Sequence, residues 1–165
     1  MKNVIMAILA FGLLTAPSCK KSSTTTSAGG SWTFKTISYS AVFCTGNLYG
    51  NAGTLSAGDV SLTGTGSSTA DDLVCTFYNA LPTSAGNYTV IGPNGNPVAG
   101  QIQIVTTIGG VNGKTYVSTG GNGAETIAVT VSGGKVTLIG SGIEMYTPSN
   151  PSDSSALSLN ITQLQ

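Results

Sequence analysis

From Ser31 onward apolar and polar residues alternate in short runs, and clusters of Gly, Asn, Ser and Pro interrupt them about every eight to twelve residues. A period of two sends successive side chains to opposite faces, so each run reads as a half-buried β-strand. Trp32 and Phe34 share one parity while Ile37, Tyr39, Ala41 and Phe43 take the other. That switch predicts a bulge, or a bend between two sheets, near Lys35 and Thr36. Leu73, Cys75 and Phe77 alternate with Thr76 and Tyr78, and Ile102, Ile104, Thr106 and Ile108 alternate with Gln103, Val105 and Thr107. Ile127, Val129 and Val131 face one way, and Ser132-Gly133-Gly134-Lys135 then reads as a hairpin turn into Val136 and Leu138. Leu157, Leu159 and Ile161 form a last strand. With runs at 54–63, 88–91, 115–118 and 143–146, this makes about eight to ten short strands. The expected fold is all-β, an antiparallel β-sandwich over residues 31–165 with essentially no helix. A closed barrel fits the same pattern, and strand order is not readable from it.

Composition removes several chemistries. The chain has 165 residues, six lysines, no arginine, six acidic residues and no histidine, so its formal net charge is zero. No basic surface is present to neutralise phosphates, and no imidazole to move protons near neutral pH. Nucleic-acid binding and His-dependent catalysis are therefore not expected. Only 7% of residues are charged, but 40% are hydrophobic, enough to drive folding rather than disorder.

The first segment has a different character. Lys2 precedes an apolar run at residues 4–15, and Ala16-Pro17-Ser18 leads into Cys19. A run of that length falls short of the roughly 20 apolar residues a membrane-spanning helix needs, so it reads as an export signal at residues 1–18. The box around Cys19 resembles the cleavage site of bacterial lipoprotein precursors, loosely and in the Bacteroidota manner, with alanine where leucine is commoner. The resemblance implies cleavage after Ser18, lipidation of Cys19, and a membrane held through the N-terminal lipid; an ordinary secretory signal is the alternative. Two or three acyl chains, at about 0.8 kcal/mol per buried methylene, anchor far better than one. Lysine at the position after Cys19 implies, by the same resemblance, the outer membrane of the cell envelope. Residues 19–30 are polar and reach on the order of 20 Å as a flexible tether.

Two cysteines remain, Cys44 and Cys75. An even pair in an exported domain is most simply a disulfide, which over a loop of this length would contribute about 3–4 kcal/mol. Two buried free thiols are the rival reading; metal binding ranks lower, because neither CxxC spacing nor histidine is present.

Leu81-Pro82-Thr83-Ser84-Ala85-Gly86-Asn87-Tyr88-Thr89-Val90 and Tyr116-Val117-Ser118-Thr119-Gly120-Gly121-Asn122-Gly123 resemble stretches of small Bacteroidota envelope lipoproteins with an all-β domain. That resemblance comes with no assigned activity, so no catalytic residue is carried over from it. The residues themselves lead to the expectation of no catalytic residues and no cofactor. Asp71 and Asp72 are adjacent and point to opposite faces of an extended chain, so they cannot share one bond as acid and base. Asp59 follows Ser56-Ala57-Gly58, a turn composition, and Asp59, Asp71 and Asp72 could converge on calcium only through the fold. Glu125 and Glu144 read as surface residues. Residues 148–153, ending in Asp153, read as a turn-rich connection. Leu48 and Tyr49 stand in a Gly/Asn-rich segment, Thr45-Gly46-Asn47-Leu48-Tyr49-Gly50-Asn51, and are the candidate binding loop; Tyr78 and Tyr146 are further rings whose parity allows exposure. The expected function is a non-catalytic structural or protein-interaction module whose partner is another envelope protein or a second copy of itself. The alternatives are a carbohydrate-binding or adhesive module and, third, a hydrolase that uses carboxylates alone.

Overall fold

A computed structural model describes residues 29–50, 52–63, 67–110 and 113–164. The signal segment, Cys19 and the tether up to residue 28 lie outside the described residues. Eleven strands form: β1 (Gly30–Phe34), β2 (Ile37–Ser40), β3 (Phe43–Tyr49), β4 (Ala52–Thr63), β5 (Ser67–Tyr78), β6 (Gly86–Ile91), β7 (Gln101–Ile108), β8 (Lys114–Ser118), β9 (Thr126–Ser132), β10 (Lys135–Thr147) and β11 (Asn150–Thr162). Outside the strands a 3-10 turn forms at Gly121–Gly123, and the all-β expectation holds.

Hydrogen bonds join all the strands in one sheet, ordered β2-β1-β11-β10-β9-β6-β7-β5-β4-β3, with β8 lying between β10 and β7. The two ends of that order, β2 and β3, are consecutive in sequence and are joined by Ala41 and Val42 alone. Three peptide steps reach at most about 11 Å, so the sheet must curl until its edges meet. The link is fixed to both sides, because the Ala41 amide donates to Gly30 O and the Val42 amide to Gly58 O. The result is a sandwich closed along one edge. All eleven strands contribute to one core, including Trp32, Phe34, Leu73, Phe77, Ile143 and Leu157.

Every pairing is antiparallel except β6 with β7, where Val90 faces Ile102 in parallel register. The pairing is mixed because the connection at residues 92–100 crosses back over the sheet instead of turning. The parity switch at Lys35 and Thr36 is neither a bulge nor a bend between sheets. Both residues take positive φ (50° and 67°) in a two-residue turn that pairs Phe34 with Ile37. Such primed turns match the twist of a hairpin. A real bulge occurs in β10, between Gly140 and Ile143, with Gly142 at φ 71°. It resets the parity, so Val136 and Leu138 before it and Ile143 and Met145 after it all reach the core. It also lets β10 change partners, from β9 to β8.

The expected disulfide is absent: Cys44 and Cys75 are free and buried. β4 runs between their strands, with Cys44 opposite Ala57 and Cys75 opposite Leu55. Two strand spacings are about 9.5 Å, beyond the roughly 7 Å over which a disulfide can close. The even count of cysteines carried no information about this intervening strand. Burial pushes the Cys44 thiol up to about 12 and pushes Cys75 up as well. Neither thiol should therefore react with iodoacetamide in the native protein, and both should react in denaturant without any reductant. A requirement for reductant would restore the disulfide.

Candidate functional site

The two ends of the sandwich differ chemically. Strand register brings Lys35, Asp59, Asp71, Asp72, Lys114 and Asp153 to one end, which gathers four of the six acidic residues of the chain. Asp153 is the node. It forms an ion pair with Lys35, accepts from Lys114 Nζ at 3.1 Å, and accepts from the Tyr116 hydroxyl at 3.1 Å. Lys35 Nζ also donates to Tyr116 Oη at 2.8 Å and lies 4.6 Å from the centre of that ring. These bonds tie the β1–β2 turn to β8 and β11, which closes the end of the core over Phe34. They account for a turn with two non-glycine residues at positive φ, a conformation that side chains resist unless something holds them.

The remaining acids at this end are dispersed. Asp59 lies within β4, not in a turn, and accepts from the Ser40 amide at 3.1 Å. Asp71 accepts from the Gly109 amide at 2.6 Å. Asp72 points to the opposite face from Asp71, as adjacency requires, and its main-chain carbonyl accepts from Thr106 Oγ1 at 2.8 Å. Among the described residues no three acidic or thiol groups converge as a metal site, so the calcium alternative at Asp59, Asp71 and Asp72 is not formed. The Tyr39 hydroxyl, buried behind this end, is pushed above its usual range by burial first and then by Asp71 and Asp59. Away from both ends, Glu125 is half-buried and accepts from the Glu144 amide at 2.8 Å; Glu144 itself is exposed.

Asp153 and Asp72 titrate with opposite consequences. The hydrogen bonds from Lys35 and Lys114 hold the Asp153 carboxyl down at about 2. Its contribution to stability is therefore complete above the ordinary carboxylate range and lost as pH falls toward 2. Burial, and then Asp71, raises Asp72. Ionising Asp72 thus opposes folding, and that penalty appears only as pH rises above the ordinary range. Asp153→Asn should lower the melting temperature at pH 7 and Asp72→Asn should raise it. Both differences should shrink toward zero by about pH 2. Melting curves from pH 2 to 7 check this, and two shifts of the same sign at pH 7 would contradict it.

The other end carries Leu48, Tyr78 and Val98, while Ile37, Val42, Phe43 and Ile139 are exposed elsewhere. Leu48 and Tyr49 are the last two residues of β3 rather than part of a loop; they pair with Gly53 and Ala52, and Gly50 follows as a turn residue. Gly46 and Asn47, which made the segment resemble a loop, are strand residues. A Cβ on Gly46 would stand 2.4 Å from Leu81 Cδ1, so glycine serves packing there. Leu48 is 68% exposed and Tyr78 is 49% exposed, whereas Tyr146 is half-buried. Three adjoining hollows surround them. One of about 270 Å3 lies between Leu48 and Leu81. A second, of about 280 Å3, is bounded by Tyr78, Asn79, Ser84, Tyr88 and Gly100. The third, about 390 Å3, is lined by Ala52, Thr76, Tyr78, Asn96, Pro97 and Gln103. Among the described residues, no charged one lines any of them.

The third hollow is a groove on the outer face of the sheet. Ala52 on β4, Thr76 and Tyr78 on β5 and Gln103 on β7 share that face by register. Residues 92–100 form its wall and are fastened down. Gln103 Nε2 donates to Gly92 O at 3.1 Å, and the Val98 amide donates to Gln101 Oε1 at 3.2 Å. Sequence reading flagged Tyr78 but missed this wall. It also missed the Asp153 cluster, because Pro148 and Pro151 concealed that β11 starts at Asn150. The available signal was parity: counted back from Leu157 through Ser155, Asp153 falls on the core side. No protein family, curated protein or solved structure matches this chain.

Proposed function

We propose that the chain is a lipid-anchored envelope protein whose folded domain is a non-catalytic interaction module, and that it presents the Leu48–Tyr78 end to its partner. One observation carries the reading. Leu48 and Tyr78, two of the exposed large apolar side chains, line uncharged hollows at that end, while the acidic groups at the other end are dispersed or, like Asp153, spent on fastening strands together. Exposed apolar surface of this kind marks contact sites, whereas acid–base chemistry needs two carboxyl groups facing one bond. The anchor rests on Cys19 and the preceding apolar run, and the polar segment at residues 19–28, ahead of Gly29 and of Gly30 in β1, supplies the reach. An envelope protein is the favoured partner. Both ends of the sheet order are already engaged, since the Ser40 amide bonds Asp59 and the Leu164 amide bonds Cys44 O, which favours the Leu48–Tyr78 end over strand addition at an edge.

The mature protein should partition into detergent and carry an acylated Cys19 as its first residue by intact mass. An N-terminus elsewhere, or a mass without lipid, would remove the anchor. Leu48→Asp should abolish retention by the envelope partner without lowering the melting temperature, since the side chain is mostly in water. Retention equal to that of the unaltered protein would refute the binding end.

A further inference from the structure

We infer that the groove beside Tyr78 is a binding site for a neutral oligosaccharide chain. The inference rests on the reading above only in taking this end as the contact end, and it adds a ligand there besides the protein partner. The Tyr78 ring stands on the ridge between two hollows, of about 390 and 280 Å3, and borders both. Each is near the low end of the range for small-ligand sites, roughly 300–1,000 Å3. A half-exposed ring between two such hollows suits a chain of small rings that pass over it in succession.

The chemistry narrows the class. Among the described residues no lysine lines either hollow to hold a phosphate or carboxylate, and no carboxylate lines them to hold an amine. The groups that line them include three aromatic rings, of which Tyr78 is the most exposed, the hydroxyls of Thr76 and Ser84, and the amides of Asn79, Asn96 and Gln103, beside apolar leucine and proline side chains. A pyranose presents an apolar C–H face to a ring and a rim of neutral hydroxyls to amides, which is the complement of this set. Gln103 spends its Nε2 on Gly92 O, and at 3.5 Å on Gly95 O, so its carbonyl oxygen remains as an acceptor toward sugar hydroxyls. One residue along the same face of β4 from Ala52, Thr54 is buried with an Oγ1 that has no hydrogen-bond partner, a further polar group beside the groove floor.

The wall is built before any ligand arrives. Besides the glutamine bonds, the Gln101 amide donates to Val98 O at 3.0 Å and the Thr89 amide donates to Gly100 O at 2.9 Å. A preformed wall loses little freedom on binding, so the few polar groups can be used for recognition. Gln103 acts as a positioning residue for the wall, and Tyr78 is the contact residue.

The test uses the full mature chain in detergent, titrated calorimetrically with cellohexaose, xylohexaose and mannohexaose, and with an oligogalacturonate hexamer as the anionic control. At least one neutral hexasaccharide should bind at micromolar to millimolar concentration, and the anionic one should bind at least about tenfold more weakly. Tyr78→Ala should weaken neutral binding by at least about tenfold, and Tyr78→Phe should keep most of it, because the ring face is retained. Asp153→Asn, at the opposite end, should leave binding unchanged. No binding by any neutral hexasaccharide, unchanged binding by Tyr78→Ala, or equal binding of the anionic hexamer would each overturn the inference. If the sugars fail while Leu48→Asp still abolishes retention by the envelope partner, the oligosaccharide is wrong and the interaction reading stands. If Leu48→Asp has no effect while sugars bind through Tyr78, the protein partner is wrong and the groove stands.

Discussion

Trp32→Ala should destabilise the domain by about 3–5 kcal/mol, the range for deleting a buried tryptophan. Trp32 is 1% exposed, pairs with Tyr39 across the β1–β2 hairpin, and stacks on its ring at 5.3 Å and 15°. On the other side it faces Leu159 of β11, so one side chain fills the space where the sheet begins to curl. A loss of that size is a large share of the roughly 5–15 kcal/mol that keeps a domain folded. Trp32→Phe should cost less than half as much. The indole Nε1 is buried with no partner, so phenylalanine gives up volume but also removes an unsatisfied donor. Urea unfolding of the three proteins measures both effects. Equal losses for Ala and Phe would mean that the indole N–H makes a bond.

Gly53→Val should be as damaging, for a different reason. A Cβ at Gly53 would stand 2.2 Å from Ala80 C and 2.2 Å from Leu81 N, both main-chain atoms that cannot rotate aside. The connection at residues 79–85 would have to lift away from β4. That connection carries Asn79, Leu81 and Ser84, so the hollows on either side would open with it. A cost of about 3 kcal/mol or more, at the upper end for overpacking, is expected. Gly95→Ala is the control. Nothing lies within 4 Å of its Cβ position, so its effect should stay within about 0.5 kcal/mol. Chemical denaturation gives both values, and the nuclear magnetic resonance signals of Tyr78 and Ser84 report whether the connection has moved. A tolerated valine would mean that the 79–85 connection does not rest on β4.

These two positions show what the alternation of residues reveals and what it hides. Parity placed Leu73, Cys75 and Phe77 on the core face, along with Ile102, Ile104 and Thr106, because a strand covered on one side must repeat every two residues. The hairpin at Gly133 and Gly134 was equally legible, since glycine is what positive φ asks for. Lys35 and Thr36 adopt the same kind of turn without that signature, held by Asp153, a residue 118 positions away. No local rule reaches across that distance. The Cys44–Cys75 inference failed for a similar reason: counting thiols assumes adjacency, and β4 intervenes. The groove needed both registers and the crossover loop, so only Tyr78, the ring whose parity allowed exposure, was visible beforehand.

The central claim, that the protein makes contact through its Leu48–Tyr78 end, is tested most directly by site-specific photocrosslinking in intact cells that make the protein. A photoreactive residue is placed in turn at positions 48, 78 and 114, the last at an exposed lysine of the opposite end. Positions 48 and 78 should give adducts of higher mass and position 114 none. Adducts from position 114 alone, or from none of the three, would contradict the account.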